Sequence, residues 1–311
     1  MLSRIAESLF WIGRYVERAD DTARILDAHL ELLLEDPWVE EELACRSLLA
    51  VMGAAVPGDS ADVTRRTVMD LLAYDGSSPS AIAGALSAAR ENARRAREIV
   101  STELWECLNR AWNELTVQRD TLTPHDYFAW VRERAAIVSG LIDSGTSRDL
   151  SWEFLVLGRS IERADMTARL IASRALSGVS GPTWTTLLRS CGAHESFLRT
   201  YRGRASDALA AEFLLLHRHF PRSVFYALRR AERCLAEISP GDIQKGTGED
   251  DARRILGRAR SGLEFRPFGD LLAGLPAEME AVQRACSAAS DAVRRKYFPS
   301  PSSTAWVGET L

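Results

Sequence analysis

The stretch GRYVERADDTAR, residues 13–24, returns 145 positions later as GRSIERADMTAR, residues 158–169. Nine of the twelve positions are identical, and the exchange of Val16 for Ile161 is conservative. Apolar residues around the first copy recur at steps of three and four, the period of an amphipathic α-helix. They are Leu9, Ile12, Val16, Ala19, Ala23, Leu26 and Leu30. We therefore predict that each copy lies on a long helix.

A second, weaker match relates residues 70–86 to residues 212–228 at an offset of 142. Two matches at nearly equal offsets indicate an internal duplication, because similarity at a fixed period is typical of repeated structural units. We predict two related halves, about residues 1–145 and 146–298, packed about a pseudo-two-fold axis.

The rest of the chain is rich in residues that favour helix and lacks β-branched runs of period two. These features predict an all-α fold, a multi-helix bundle. One long helix is expected over residues 79–115, with Ser78 as N-cap and Pro79 in its first turn. Residues 1–298 are expected to form a single helical body. Residues 299–311 (PSPSSTAWVGETL) are expected to form a flexible tail because they are rich in proline, serine and threonine.

Each copy of the motif also carries a charged face beside its apolar one. The charged residues follow one another at helical steps: Glu17, Asp20 and Arg24 in the first copy, and Glu162, Asp165 and Arg169 in the second. Gly13 and Gly158 stand at the start of these faces, although glycine in mid-helix costs about 1 kcal/mol relative to alanine. Two glycines at equivalent points predict that a neighbouring helix or a ligand approaches the backbone closely.

This charged face has two interpretations. In the structural one, which we favour because ionic networks at helix crossings are common, buried charge pairs fix how the helices cross. In the functional one, the face lines a polar cavity for a substrate carboxylate, an amine or a metal. A di-metal centre in a bundle needs Glu-x-x-His pairs, and no histidine follows a glutamate at that spacing. We therefore predict neither a metal nor a cofactor.

The two motif helices are predicted to lie centrally and to pack against each other, because duplicated halves meet through equivalent surfaces. Glu17 and Glu162 would then each take an arginine partner, either from Arg24 and Arg169 or from the opposite copy. Replacing Arg24 or Arg169 with alanine should therefore lower the melting temperature markedly, and unchanged melting temperatures for both variants would favour the functional interpretation.

Composition excludes several classes of function. Against 43 acidic residues there are 39 lysines and arginines, a net charge of −4 that favours neither nucleic acid nor anionic lipid. No apolar run is long enough to span a membrane. Five scattered cysteines and the lack of a signal-peptide pattern predict a cytoplasmic protein without disulfides or zinc. A glycine-rich phosphate loop and a GxSxG elbow are also absent, so the residues alone assign no reaction.

Several segments together resemble the Alpha-E domain family, a bacterial all-helical family named for its Glu-Arg motif. They are the two motif copies, RENARRAREIVSTELWECLN (residues 90–109) and HFPRSVFYAL (residues 219–228). The resemblance covers nearly the whole chain and places the Glu-Arg label on Glu17-Arg18 and Glu162-Arg163. The second half lacks a clear counterpart of ELWECLN, so a site that used this segment would exist once.

The resemblance implies a protein encoded beside, or fused to, a circularly permuted ATP-grasp ligase, often with a transglutaminase-like protein nearby. Such neighbourhoods are thought to make or process amide bonds on peptides or proteins. The family implies no settled reaction for the helical domain itself.

Trp105 and Asn109 lie one helical turn apart within ELWECLN. An aromatic ring and an amide at this spacing suit a pocket or an interface, although a packed tryptophan explains them equally well. We therefore treat both as candidate binding residues beside the motif.

Three functions remain open. We favour an accessory helical subunit of an ATP-grasp amide ligase that binds a substrate or peptide near the motif. The first alternative is an acyl- or amino-transfer enzyme that uses Glu17 or Glu162 as general acid/base while an arginine holds a carboxylate. The second is a peptide-binding scaffold with a groove and an ordered Trp306. A pocket at the two glutamates would favour the enzyme, and a closed crossing would disfavour it.

Overall fold

The computed structural model describes residues 1–35, 40–55, 58, 62–177, 183–240 and 251–299. In these ranges the chain is helical and contains no strand, so the predicted all-α fold is confirmed. The predicted tail, with Trp306, lies outside the described residues apart from Pro299.

The helices are α1 (Ser3–Glu35), α2 (Glu41–Val51), α3 (Arg65–Val68) with a π-helical continuation (Met69–Tyr74), α4 (Ile82–Arg95), α5 (Thr102–Thr121), α6 (Pro124–Gly145), α7 (Leu150–Ser177), α8 (Trp184–Ser190), α9 (His194–Thr200), α10 (Asp207–Leu216), α11 (Val224–Ile238), α12 (Ala252–Phe265), α13 (Phe268–Ala273) and α14 (Leu275–Tyr297). None of the helices in the described ranges is both long and apolar enough to cross a membrane.

Helices α1 and α7 carry the two motif copies and pack against each other, as predicted. Helix α1 also packs on α4, α6 and α8, while α7 packs on α11 and α14. The apolar stripe that predicts α1 is almost completely buried, and it joins a continuous core shared by both halves. Each motif helix is therefore covered on several sides, and its polar face must find partners inside the protein. Whether the halves arose by duplication stays a prediction.

Backbone contact between α1 and α7 occurs at the two motif glycines. A Cβ added to Gly13 would lie 2.0 Å from the carbonyl oxygen of Leu155, and one added to Gly158 would lie 2.0 Å from that of Phe10. Leu155 follows Phe10 by the same 145 positions that separate the glycines. The contact is thus reciprocal, as in an isologous interface. The backbone at each glycine is therefore approached by the other motif helix, which is one of the two predicted possibilities.

The single helix predicted over residues 79–115 is wrong. The chain forms α4 and α5 instead, and α4 begins at Ile82 rather than at Pro79. Ser101 caps the second helix by accepting a hydrogen bond from the Leu104 backbone N–H at 3.2 Å. The break lets α5 fold back on α4 and bury Leu104 and Leu108, which one uninterrupted helix would carry away from α4.

Gly13→Ala and Gly158→Ala are each expected to lower the free energy of unfolding, because the new methyl group would overlap a carbonyl oxygen of the other helix. Overpacking costs about 1–3 kcal/mol, and the better helix propensity of alanine returns about 1 kcal/mol. Gly140→Ala in α6 is the matched control, since a Cβ there meets nothing within 4 Å. Urea unfolding followed by circular dichroism measures the difference. Equal stabilities for Gly13→Ala and Gly140→Ala would contradict the close crossing.

Candidate functional site

The Glu-Arg pairs of the two motif copies exchange partners across the helix crossing. Glu162 accepts hydrogen bonds from Arg14 Nε at 2.6 Å, from Arg18 Nε at 2.5 Å and from Arg18 Nη2 at 3.0 Å. Glu17 accepts from Arg163 Nη2 at 2.9 Å and also from Arg163 Nε. Both glutamate side chains are only 2% exposed. Each Glu-Arg arginine therefore binds the glutamate of the opposite copy, which is one of the two predicted arrangements.

The arginines keep both glutamates ionised although they are buried. Burial is the largest influence on the pKa of Glu162 and raises it, but Arg14 and Arg18 outweigh burial and bring the pKa to about 2. Burial likewise opposes Arg163 and Arg222 at Glu17, whose pKa is lowered overall. An efficient general acid or base has a pKa near the working pH and lies within reach of its substrate. The arrangement favours the structural interpretation of both carboxylates.

Arg222 completes the surroundings of Glu17 and is not among the site residues that the sequence predicts. Its Nη2 lies 3.0 Å from Glu17 Oε1 and also contacts Asp20, while its Nε donates to Asp21 Oδ1 at 3.0 Å. Arg222 stands directly before Ser223, the N-cap of α11, so it ties α11 to α1. The one feature of the sequence that could have pointed to Arg222 is its position within HFPRSVFYAL, one of the segments that resemble the family.

Arg222 and Asp21 occur on one side of the crossing only. At the offset of 145 Asp21 corresponds to Met166, and at the offset of 142 Arg222 corresponds to Ser80. On the opposite side the second guanidinium comes from Arg14. The exchange of Glu-Arg pairs is thus pseudo-symmetric. The additional arginine at each glutamate is not, because Glu162 binds Arg14 and Glu17 binds Arg222.

Arg24 and Arg169 pair with aspartates of their own helices. Arg24 Nε donates to Asp20 Oδ1 at 3.0 Å, and Arg169 Nη2 donates to Asp165 Oδ2 at 3.0 Å. Of the two arrangements left open by the sequence, the one in which Arg24 and Arg169 bind the motif glutamates is therefore not the one that forms. The spacing of four residues puts each arginine beside its aspartate on the same helix face.

Arg24 and Arg169 also reach turns that follow short helices of the other half. Arg169 Nη1 donates to the carbonyl oxygen of Val51, at the end of α2, at 3.3 Å. A Cβ on Gly192, two residues after the end of α8, would lie 2.8 Å from Arg24 Nη1. Gly53 and Gly192 have φ angles of 68° and 59°, which glycine adopts without strain. These contacts fasten each motif helix to the opposite half.

Trp105 and Asn109 contact a different set of arginines. Arg90 Nε donates to Asn109 Oδ1 at 3.1 Å, and the Arg90 guanidinium lies 5.5 Å from the ring centroid of Trp105. Arg97 lies 4.7 Å from the same ring. These contacts support the packing of α5 on α4. A binding role for Trp105 and Asn109 stays a prediction.

An open cleft of about 970 Å³ lies beside the C-terminal half of α1. Its walls come from α1, from α3 and its π-helical continuation, from the end of α5 and from the start of α6. Asp27 Oδ1 on α1 and His125 Nδ1 on α6 are 2.7 Å apart. Neither motif glutamate lines this cleft. π-Helical turns occur frequently at functional sites, so the cleft is the candidate site for a ligand.

The fold and this crossing define a class of all-helical proteins centred on two reciprocal glutamate–arginine pairs. The model of the Alpha-E family, described as a predicted alpha-helical domain with a conserved ER motif, matches residues 1–298. The chain therefore belongs to the Alpha-E family, and the resemblance is confirmed.

Relatives of this chain occur in mycobacteria. A protein of Mycobacterium bovis and one of Mycobacterium tuberculosis, both described as uncharacterized, are each 24% identical to it over 318 residues. Each match covers 90% of this chain and 36% of the relative. The chain thus spans about a third of the length of the curated relatives it matches. No solved structure matches it.

Arg163→Met is expected to lower the free energy of unfolding by about 3 kcal/mol, because it leaves Glu17 buried with Arg222 alone. Arg94→Met removes an exposed pair with Glu91 and should change stability by less than about 0.5 kcal/mol. The loss of unfolding free energy for Arg24→Ala should lie between these two values, because Arg222 still contacts Asp20. Urea unfolding of the three variants gives these values. A loss for Arg163→Met no larger than that for Arg94→Met would contradict a stabilising role of the crossing.

Asp21 should make stability depend on pH. Burial is the main cause that raises its pKa from 3.8 to about 8; Glu17 and Asp20 add to the rise, and Arg222 opposes it. Between about pH 4 and pH 8 the folded protein therefore keeps a proton that the unfolded chain has released, so stability falls as the pH rises. Asp21→Asn keeps an oxygen acceptor for Arg222 and removes this loss.

We therefore expect the melting temperature of Asp21→Asn, relative to that of the wild type, to rise between pH 5 and pH 8. Melting curves at several pH values test this expectation. Profiles that run parallel for the two proteins would show that Asp21 is ionised throughout this range.

Proposed function

We propose that this chain is a helical accessory domain of an ATP-grasp amide ligase system, and that it supplies binding surface while its partner supplies the reaction. The observation that carries this proposal is the closed Glu-Arg exchange. In this exchange the glutamates and arginines of the family motif hold α1 against α7, and both carboxylates are buried and bound by arginine. A motif used in this way fixes the shape of the domain.

The length of the relatives supports an accessory role. The matched region is 36% of each mycobacterial relative, so most of those chains lies outside it. Domains joined in one chain fold separately and meet through interfaces like those of transient complexes, so a helical domain within a longer chain suits a role beside a second domain. The ATP-grasp ligase, with a transglutaminase-like protein as a further partner, is the neighbour that the family resemblance implies.

The cleft is the surface we assign to the substrate of such a system. Its volume of about 970 Å³ is at the upper end of the range for ligand sites. Apolar side chains, including Leu30 and Met69, alternate there with charges of both signs, including Arg119 and Asp120. A peptide segment, which offers apolar side chains and charged groups together, has matching chemistry.

The two other functions receive less support. An acyl- or amino-transfer enzyme would need Glu17 or Glu162 to exchange protons with a substrate, but arginines lower the pKa of each and both are buried. A scaffold that uses Trp306 depends on a residue outside the described part of the chain. Peptide binding in the cleft is compatible with the accessory role.

Co-expression of this chain with a circularly permuted ATP-grasp ligase from the same organism tests the proposal. We expect the two to co-purify, and we expect peptide-dependent ATP turnover by the ligase to fall at least about tenfold when the helical chain is omitted. Arg119→Glu in the cleft should weaken turnover without preventing co-purification. Arg110→Glu, exposed on the same helix, is the matched control. Separate elution together with unchanged turnover would refute the accessory role.

A further inference from the structure

We propose that Asp27, Glu31 and His125 form a binding site for a divalent transition-metal ion, such as Zn²⁺, in the wall of the cleft. One carboxylate oxygen from each acidic residue and one ring nitrogen of His125 all lie within 4.8 Å of one another. Asp27 and Glu31 stand one turn apart on α1, and His125 is the second residue of α6. Two helices distant in sequence thus bring three metal-binding side chains together.

The spacing of these atoms suits an ion after a small adjustment. Zinc binds nitrogen and oxygen ligands at about 2.0–2.1 Å, which separates neighbouring ligand atoms of a tetrahedral site by roughly 3.3 Å. Asp27 Oδ1 and His125 Nδ1 are 2.7 Å apart, so they need to separate by only roughly 0.6 Å. The His125 side chain is 63% exposed and can turn without disturbing the core.

Asp27 is already oriented for this purpose. Its side chain is 9% exposed, and Arg132 Nη1 lies 3.0 Å from Oδ2. Arg132 therefore fixes the carboxylate through one oxygen and leaves Oδ1 directed at His125. Outer partners of this kind are usual around metal-binding carboxylates. Arg132 also offsets one negative charge, so we expect moderate affinity.

The donor set indicates the class of ion. One imidazole with two carboxylates suits zinc, manganese or iron better than magnesium, which prefers oxygen ligands alone. Three protein ligands leave at least one coordination position open, as in catalytic rather than structural zinc sites. Because Asp27, Glu31 and His125 line the cleft, that position is available to an oxygen of a bound ligand.

The structure contains a second cluster of acidic residues, which differs from the proposed site in its surroundings. Glu17, Asp20 and Asp21 also bring their oxygens within 4.8 Å of one another, but they are buried. Arg222 contacts all three carboxylates. One guanidinium thus lies among all three of these carboxylates. In the Asp27 group Arg132 and Arg189 each contact one oxygen of a single carboxylate, Asp27 Oδ2 and Glu31 Oε2, and the group lines the open cleft.

Calorimetric titration and thermal unfolding of the tag-free, chelator-treated full chain test the site, with ZnCl₂, MnCl₂ and MgCl₂ as probes. We expect one Zn²⁺ per chain and a melting temperature raised by at least about 2 °C at saturation, with little effect of Mg²⁺. His125→Ala and Glu31→Gln should each weaken Zn²⁺ binding at least tenfold. His194→Ala, a histidine outside the cleft, should bind as the wild type does.

Folding is checked by the melting temperatures without metal, which should match because Glu31 and His125 are not core residues. No Zn²⁺ binding by the wild type would overturn the proposal, and so would equal binding by His125→Ala, since the ion would then lie elsewhere. The test does not involve the ligase, so its outcome is independent of the proposed function.

Discussion

The exchange of ion pairs where α1 crosses α7 is the interaction on which the rest of the structure depends. Gly13 and Gly158 let the two backbones touch, and this contact brings each Glu-Arg pair within reach of the opposite copy. The other helices pack around this central pair. Because two buried carboxylates need guanidinium partners in defined places, the crossing has one favourable register, and a shift along either helix would leave charges unpaired.

The same interaction separates the family motif from the surface that a ligand can reach. Arginines lower the pKa of both motif glutamates, and the opposing effect of burial does not restore proton exchange near neutral pH. The open cleft lies further along α1, where Asp27 and His125 meet. A single helix therefore contributes its first half to the stability of the centre and its second half to a site. A rigid centre also holds the walls of that site in place, as binding geometry requires.

The crossing of α1 and α7 is not fully symmetric. The crossing is reciprocal at the glycines and at the Glu-Arg pairs, but Asp21 and Arg222 are present on one side, where Met166 and Ser80 stand on the other. Asp21 and Arg222 thus occur on the same side of the crossing, where the guanidinium gives the buried carboxyl group a hydrogen-bond partner. The asymmetric side is also where α11 is fastened to α1 through Arg222.

The sequence by itself determined the helical class, the two motif helices and the close approach at Gly13 and Gly158, because helical periodicity and the cost of mid-helix glycine are local properties. It did not determine which arginine binds which glutamate, because Arg24 lies on the same helix as Glu17 and only the crossing of the two helices brings Arg163 to Glu17. The break between α4 and α5 escaped prediction because it depends on the burial that α5 gains by folding back. Arg222 and the pairing of Asp27 with His125 join residues about 200 and 98 positions apart. Only the tertiary structure brings such residues together, because their contact depends on how the helices pack and not on their spacing along the chain.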